Sequence, residues 1–173
     1  DVAFGESQAL PENFRLTALV MPDELESRPV AVTPLTHLAT GWARAMPGTV
    51  NRQSISLARS RVAGLLHLTP DFAFQRVPSM TSDRMDQKSE TAAARHGLMA
   101  AAFAARAMDS GRAMQLTLDG HLEAFVRRGG QFRHQGAYSL RGLLVSAAEI
   151  AEQKRILPDT RTTLEVMVAE IDK

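Results

Sequence analysis

A chain of 173 residues has the length of one ordinary domain, or of one domain with a fragment of a neighbour. Its 45% apolar and 23% charged content suit a water-soluble globular core, and a net charge of +1 supplies no global field to gather nucleic acid or an anionic membrane. With no cysteine, disulfide frameworks, thiolate zinc sites and cysteine nucleophiles are excluded.

No run approaches the roughly 18 apolar residues a membrane-spanning helix needs, and no signal peptide is visible. The chain opens at Asp1 and reads as a processed or trimmed piece of something longer. Aromatic residues make up only 5%, and alanine and methionine carry much of the apolar content, which suits close-packed helices better than a sheet.

Phe14, Leu16, Ala18 and Val20 alternate onto one face, as do Val30 and Val32, with the short polar stretch PDELES between them. The alternation predicts two strands over 14–21 and 28–33, paired as a hairpin. Thr33-Pro34 is a helix start, because threonine caps and proline loses nothing at the first helical position. Leu35, Leu38, Trp42 and Ala45 form the stripe of that helix, which the MPG at 46–48 stops. Trp42, the only indole, is expected to anchor the junction between strands and helices. A second helix is predicted over 52–67 with Ile55, Ala58, Val62, Leu65 and Leu66 inward. Residues 69–87 read as a long loop with two prolines.

Ser89 is read as the cap of the longest helix, 89–109, whose alanines keep its profile thin. Met114, Leu118, Leu122 and Phe125 mark a fourth helix ended by Gly129-Gly130. Ser139 caps a fifth, and Pro158 starts the sixth. The expected fold is mainly α: a bundle of about six helices over 34–173, preceded by a short N-terminal β-hairpin within 1–33. That hairpin reads either as part of the helical core or as the end of a preceding β domain.

The stretch Val30, Val32, Thr33, Pro34, Leu35, Thr36, Leu38 and Ala39 resembles the V-x-V-T-P-L-T-x-L-A junction of large bacterial surface lipoproteins. In that family an immunoglobulin-like or carboxypeptidase-regulatory-like segment runs into Ala-rich helices. The helix ARHGLMAAAFAA (94–105) and the pair Asp119-Gly120 continue the likeness. The resemblance implies an exported, envelope-associated interaction or scaffold protein and carries over no catalytic residue. On its own terms, Thr-Pro fixes the entry angle of a helix, so such a junction would hold a helical body at a set angle to a sheet.

Candidate chemistry is sparse. His96 and His121, with Asp119 and Glu123 beside the latter, contain a His–His–carboxylate set, but no H-x-x-x-H or H-E-x-x-H spacing exists. A lone histidine beside an apolar stripe is more often a hydrogen-bonded interior residue, so no metal and no cofactor are assigned. No serine sits in a G-x-S-x-G elbow, and GTVNRQS lacks the ending of a phosphate loop, so no catalytic residue is assigned. Met80, Met85, Met99, Met108 and Met114 read as core filler before an adaptable surface.

One stretch stands apart. Arg127, Arg128, Arg133 and Arg141 interleave with Phe132 and Tyr138, the mixture that an acidic polymer or single strand would need. The same arginines would also complement a helix C-terminus in a solvated loop. The expected function is a non-catalytic binding or structural module of an exported bacterial envelope or extracellular protein. Its expected partner, reached through the hairpin, is a preceding β domain or a neighbouring subunit, and the charge balance disfavours nucleic acid. The alternatives are a subunit joined to an assembly by strand addition, or a helical accessory domain of an enzyme whose active site lies elsewhere.

Overall fold

The computed structural model describes residues 10, 12–78 and 90–173. Among them, helices run over α1 (Pro22–Ser27), α2 (Pro34–Ala45), α3 (Arg52–Leu65), α4 (Ala92–Asp109), α5 (Met114–Arg127), α6 (Leu140–Lys154) and α7 (Pro158–Ile171), with a 3₁₀ helix at Pro70–Phe74. No helix of the described residues is long and apolar enough to cross a membrane. α2 packs on α3, α4 and α5, α4 also packs on α5 and α6, and α7 packs on α6.

Local chemistry sets most of these ends. Asn51 accepts from the Ser54 amide at 3.0 Å and its own amide donates to the Ser54 hydroxyl at 2.9 Å, so two orphan donors of α3 are satisfied reciprocally. Thr91 rather than Ser89 caps α4, accepting from Ala94 N at 3.1 Å, while Ser89, Met80 and Met85 lie outside the described residues. Ser139 caps α6. α7 has no side-chain cap of its own; the Glu90 carboxylate reaches it from before α4, accepting from the amides of Asp159 and Thr160 at 3.0 and 3.2 Å and from the Thr160 hydroxyl. An anion at a helix N-terminus is stabilised by the macrodipole.

The core joins Leu35 and Leu38 of α2, Val62 of α3, Leu98 and Phe103 of α4, Leu118 and Phe125 of α5, and Leu143 and Leu144 of α6. Each such side chain contributes about 1.5–3 kcal/mol by leaving water. Ala94, Ala102 and Ala107 are buried in α4, which lets its neighbours approach closely. Trp42 is half-buried: its indole lies edge-on to Phe125 at 5.7 Å and covers Gly130, where a Cβ would come within 2.5 Å of the ring. Gly130 also has φ +80°, so it serves both a turn and a close approach.

The predicted β-hairpin is not formed. Residues 14–21 and 28–33 carry no strand pairing, and PDELES is α1 instead of a turn. The reason is local: Pro22 at the first helical position and Asp23 and Glu24 in the first turn favour a helix N-terminus, and the Glu24 carboxylate accepts from Met21 N at 2.8 Å. The flanking segments attach to the helices one by one. Phe14, Leu16 and Leu19 pack on the core, Thr17 Oγ1 bonds His37 Nδ1 at 3.0 Å, and the Ala31 amide donates to the Ala73 carbonyl at 2.8 Å. Arg59, only 8% exposed, donates to both Glu24 oxygens at 2.9 and 3.0 Å and to the Leu19 carbonyl at 2.9 Å.

The junction at Thr33 is built as a joint. Its hydroxyl accepts from Thr36 N at 3.4 Å and lies 2.9 Å from His96 Nε2, while its amide donates to Thr36 Oγ1 at 2.8 Å. His96 in turn meets the Phe72 ring edge-on at 5.3 Å. The start of α2 is thereby locked to α4 and to the 3₁₀ helix.

Candidate functional site

The arginine-rich loop between α5 and α6 is held by two reversals. Gly129 and Gly130 adopt φ +62° and +80° after α5, and the Leu140 amide donates to the Arg133 carbonyl at 2.8 Å where α6 begins. Its six candidate residues separate. Arg127 is exposed and pairs with Glu123 at 2.5 Å, one turn back on α5. Arg128 and Arg133 are exposed and make no ion pair among the described residues. Phe132 is 4% exposed and packs on Phe125, ring centroids 4.8 Å apart, so it belongs to the core. Tyr138 is half-buried against His121 and over Gly120, where a Cβ would come within 2.3 Å of its ring; its hydroxyl accepts from Arg112 at 2.8 Å. Arg141 forms a two-bond pair with Asp172, at 2.6 and 2.9 Å. That pairing holds the Asp172 carboxyl below its ordinary range and the guanidinium above its own.

Beside the loop lies an open cleft of about 410 Å³, lined by Arg106, Gln135, Gly136, Ser139, Arg141, Gly142 and Asp172. Arg106 reaches it from α4, donating to the Ala137 carbonyl at 3.4 Å, and its guanidinium lies 3.1–3.2 Å from the point a Cβ on Gly142 would occupy. The Arg106 Nε is buried without a partner. Ser139 is 3% exposed; its oxygen accepts from Gly142 N at 3.1 Å, and its own proton has no acceptor among the described residues. Arg106 and Arg112 thus reach Ala137 and Tyr138 in the segment that carries Arg133 and Arg141, and among the described residues Asp172 is the one carboxylate bonded to any of these four.

The histidines are dispersed. Among the described residues no three His, Asp or Glu side chains gather closely enough to hold a metal ion. His121 donates from Nδ1 to the Thr117 carbonyl at 2.8 Å, which leaves Nε2 unprotonated and buried among Phe103, Phe132 and Tyr138. Asp119 bonds Gln115, and Glu123 is taken by Arg127. Burial pushes both His96 and His121 down to about 4, against a weaker upward pull from the backbone of Phe72 and Thr117 respectively. His37 is lowered by burial too, with Asp119 opposing. His96 and His121 are thus neutral interior residues at pH 7.

Sequence reading named the loop and missed the groups that close on it. Arg106 lies 31 positions from the carbonyl it meets, and Asp172 lies 31 positions from Arg141. No linear spacing signals either contact. Only Ser139, read as a helix cap, was in view for another reason. No protein-family model, curated protein or solved structure matches the chain.

Proposed function

We propose that this chain is a non-catalytic binding module that holds an acidic polymer at the loop between α5 and α6. The observation that carries the reading is that Arg128 and Arg133 of the loop are exposed with no ion pair among the described residues, while Arg106 and Arg112 reach Ala137 and Tyr138 of the same loop. Burial of Phe132 in the core removes one of the two rings that could stack on bases, which favours an acidic polymer without bases over single-stranded nucleic acid. We place the module in an exported protein of the bacterial envelope, a reading that rests on the resemblance of the junction at Val30–Ala39. The test is titration with polyphosphate at rising salt. Binding should weaken as exposed charges are screened, and the paired substitution Arg128→Gln with Arg133→Gln should lower it several-fold. Binding indifferent to both salt and those arginines would sink the proposal.

A second reading, strand addition to a partner, is favoured by one other feature. Residues 29–33 and 75–77 line an open groove of about 450 Å³, and Val30 and Val32 make no backbone hydrogen bond among the described residues. An extended partner segment could pair there. Self-association or partner binding abolished by Val32→Pro, with the melting temperature kept, would support it.

A further inference from the structure

We propose that the cleft between Arg106 and Arg141 is a phosphoryl-group site, and that Asp172 occupies its Arg141 side when no ligand is bound. This rests on the polyanion reading above and names the chemistry of the group recognised.

Three observations converge. First, the Arg141–Asp172 contact already has the geometry of an oxyanion complex, two donors facing two oxygens. Such an exposed pair contributes little to stability, so it is readily exchanged. Second, the charges do not balance. Arg106 and Arg141 together carry two positive charges against the single negative charge of Asp172. A phosphate monoester dianion neutralises both arginines once Asp172 leaves, whereas a carboxylate would only repeat what Asp172 does. Third, the lining holds a free donor: Ser139, buried, and Gln135 both line the cleft, and the Ser139 hydroxyl proton has no acceptor among the described residues.

The amides at the start of α6 are not the binding groups. Those of Leu140 and Gly142 are already bonded, to the Arg133 carbonyl and the Ser139 hydroxyl. Recognition falls to side chains. Gly142 has a positioning role: lacking a Cβ, it lets the Arg106 guanidinium lie against the first turn of α6.

Inorganic phosphate, polyphosphate and acetate titrated into the full chain test this. Phosphate should bind, and acetate should bind more weakly. Asp172→Asn should tighten phosphate by up to about fivefold, the most that release of an exposed ion pair supplies. Arg141→Gln should weaken it about tenfold or more, as expected for losing charge-assisted hydrogen bonds. Gly142→Ala should weaken it too while leaving the melting temperature unchanged or raised, since alanine suits a helix better; were that variant not to fold, Arg106→Gln answers the same question. Phosphate affinity unmoved by Asp172→Asn and Arg141→Gln, or acetate equal to phosphate, overturns the inference. Polyphosphate binding through Arg128 and Arg133 would survive that result and keep the broader reading. The converse, phosphate governed by Asp172 while polyphosphate fails to bind, removes the broader reading and leaves the cleft.

Discussion

Helix α4 and the segment 14–33 lie against the same apolar cluster, yet they are held to it by different forces. α4 buries Ala94, His96, Gly97, Leu98, Met99, Ala102, Phe103 and Ala107, and its backbone is satisfied within the helix. No residue from 12 to 33 is fully buried. That segment has one short helix and no ladder, so other elements supply its partners: Gln115 accepts from the Arg15 amide, His37 bonds Thr17, and Arg59 donates to Glu24 and the Leu19 carbonyl. A helix thus needs few outside partners for its backbone, whereas an extended stretch needs polar groups supplied from elsewhere. The contrast makes α4 the stable partner and 14–33 the conditional one.

Acid should produce the largest effect and blur the contrast, because His96 joins the two regions. Both His96 and His121 are neutral when folded, with pKa values lowered to about 4 from 6.5. The unfolded chain binds more protons between those values, so stability is full above pH 6.5 and falls as pH drops towards 4. The loss is roughly 3 kcal/mol for each ring. Glu24 behaves oppositely in origin: Arg59 holds its carboxyl below 4.5, so its contribution is present above 4.5 and is lost only at lower pH. Chemical denaturation at stepped pH should show the midpoint falling between pH 6.5 and 4, and His121→Gln should remove about half of that slope. A flat midpoint over this interval would mean that the rings are not buried as neutral groups.

Phe103→Ala should come next, costing about 3–5 kcal/mol through a cavity in the middle of the bundle. Circular dichroism melting should show one cooperative transition at lower temperature. Glu24→Ala should cost about 3 kcal/mol, since it strands a largely buried guanidinium. Its mark is spatial: amide exchange should rise across 14–33 well before it rises in α4. Equal acceleration in both would erase the distinction and make the segment as integral as the helix. The smallest expected effect is Thr33→Val, about 1 kcal/mol for the lost cap. That variant also removes the hydroxyl partner of His96, so a shift in the His96 ring resonances should accompany it. Unchanged resonances would disconnect the joint from α4.

Much of the helical scaffold was legible because its signals are local. Thr33-Pro34 and Ser139 start helices through groups within three residues of the site they cap, Pro158 takes the first position of α7 by its fixed backbone angle, and MPG and Gly129-Gly130 end helices through backbone geometry alone. Six helices from residue 34 onward follow from such punctuation and the apolar period. PDELES was misread although its helix signal is equally local, because alternation on either side suggested a hairpin and outweighed Pro22, Asp23 and Glu24.

The candidate site was legible only by half. An arginine is visible in a sequence, but whether it is free depends on the carboxylate that reaches it, and Asp172 arrives from another helix. An aromatic residue is equally visible, yet Phe132 is withdrawn into the core by Phe125 while Tyr138 stays at the surface over Gly120. Short-range hydrogen bonds and steric limits fix where a helix begins, and these act between neighbours in the chain. Charge pairing, ring burial and the cleft between Arg106 and Arg141 arise from contacts between distant residues, which only the packing of α4, α6 and α7 brings together.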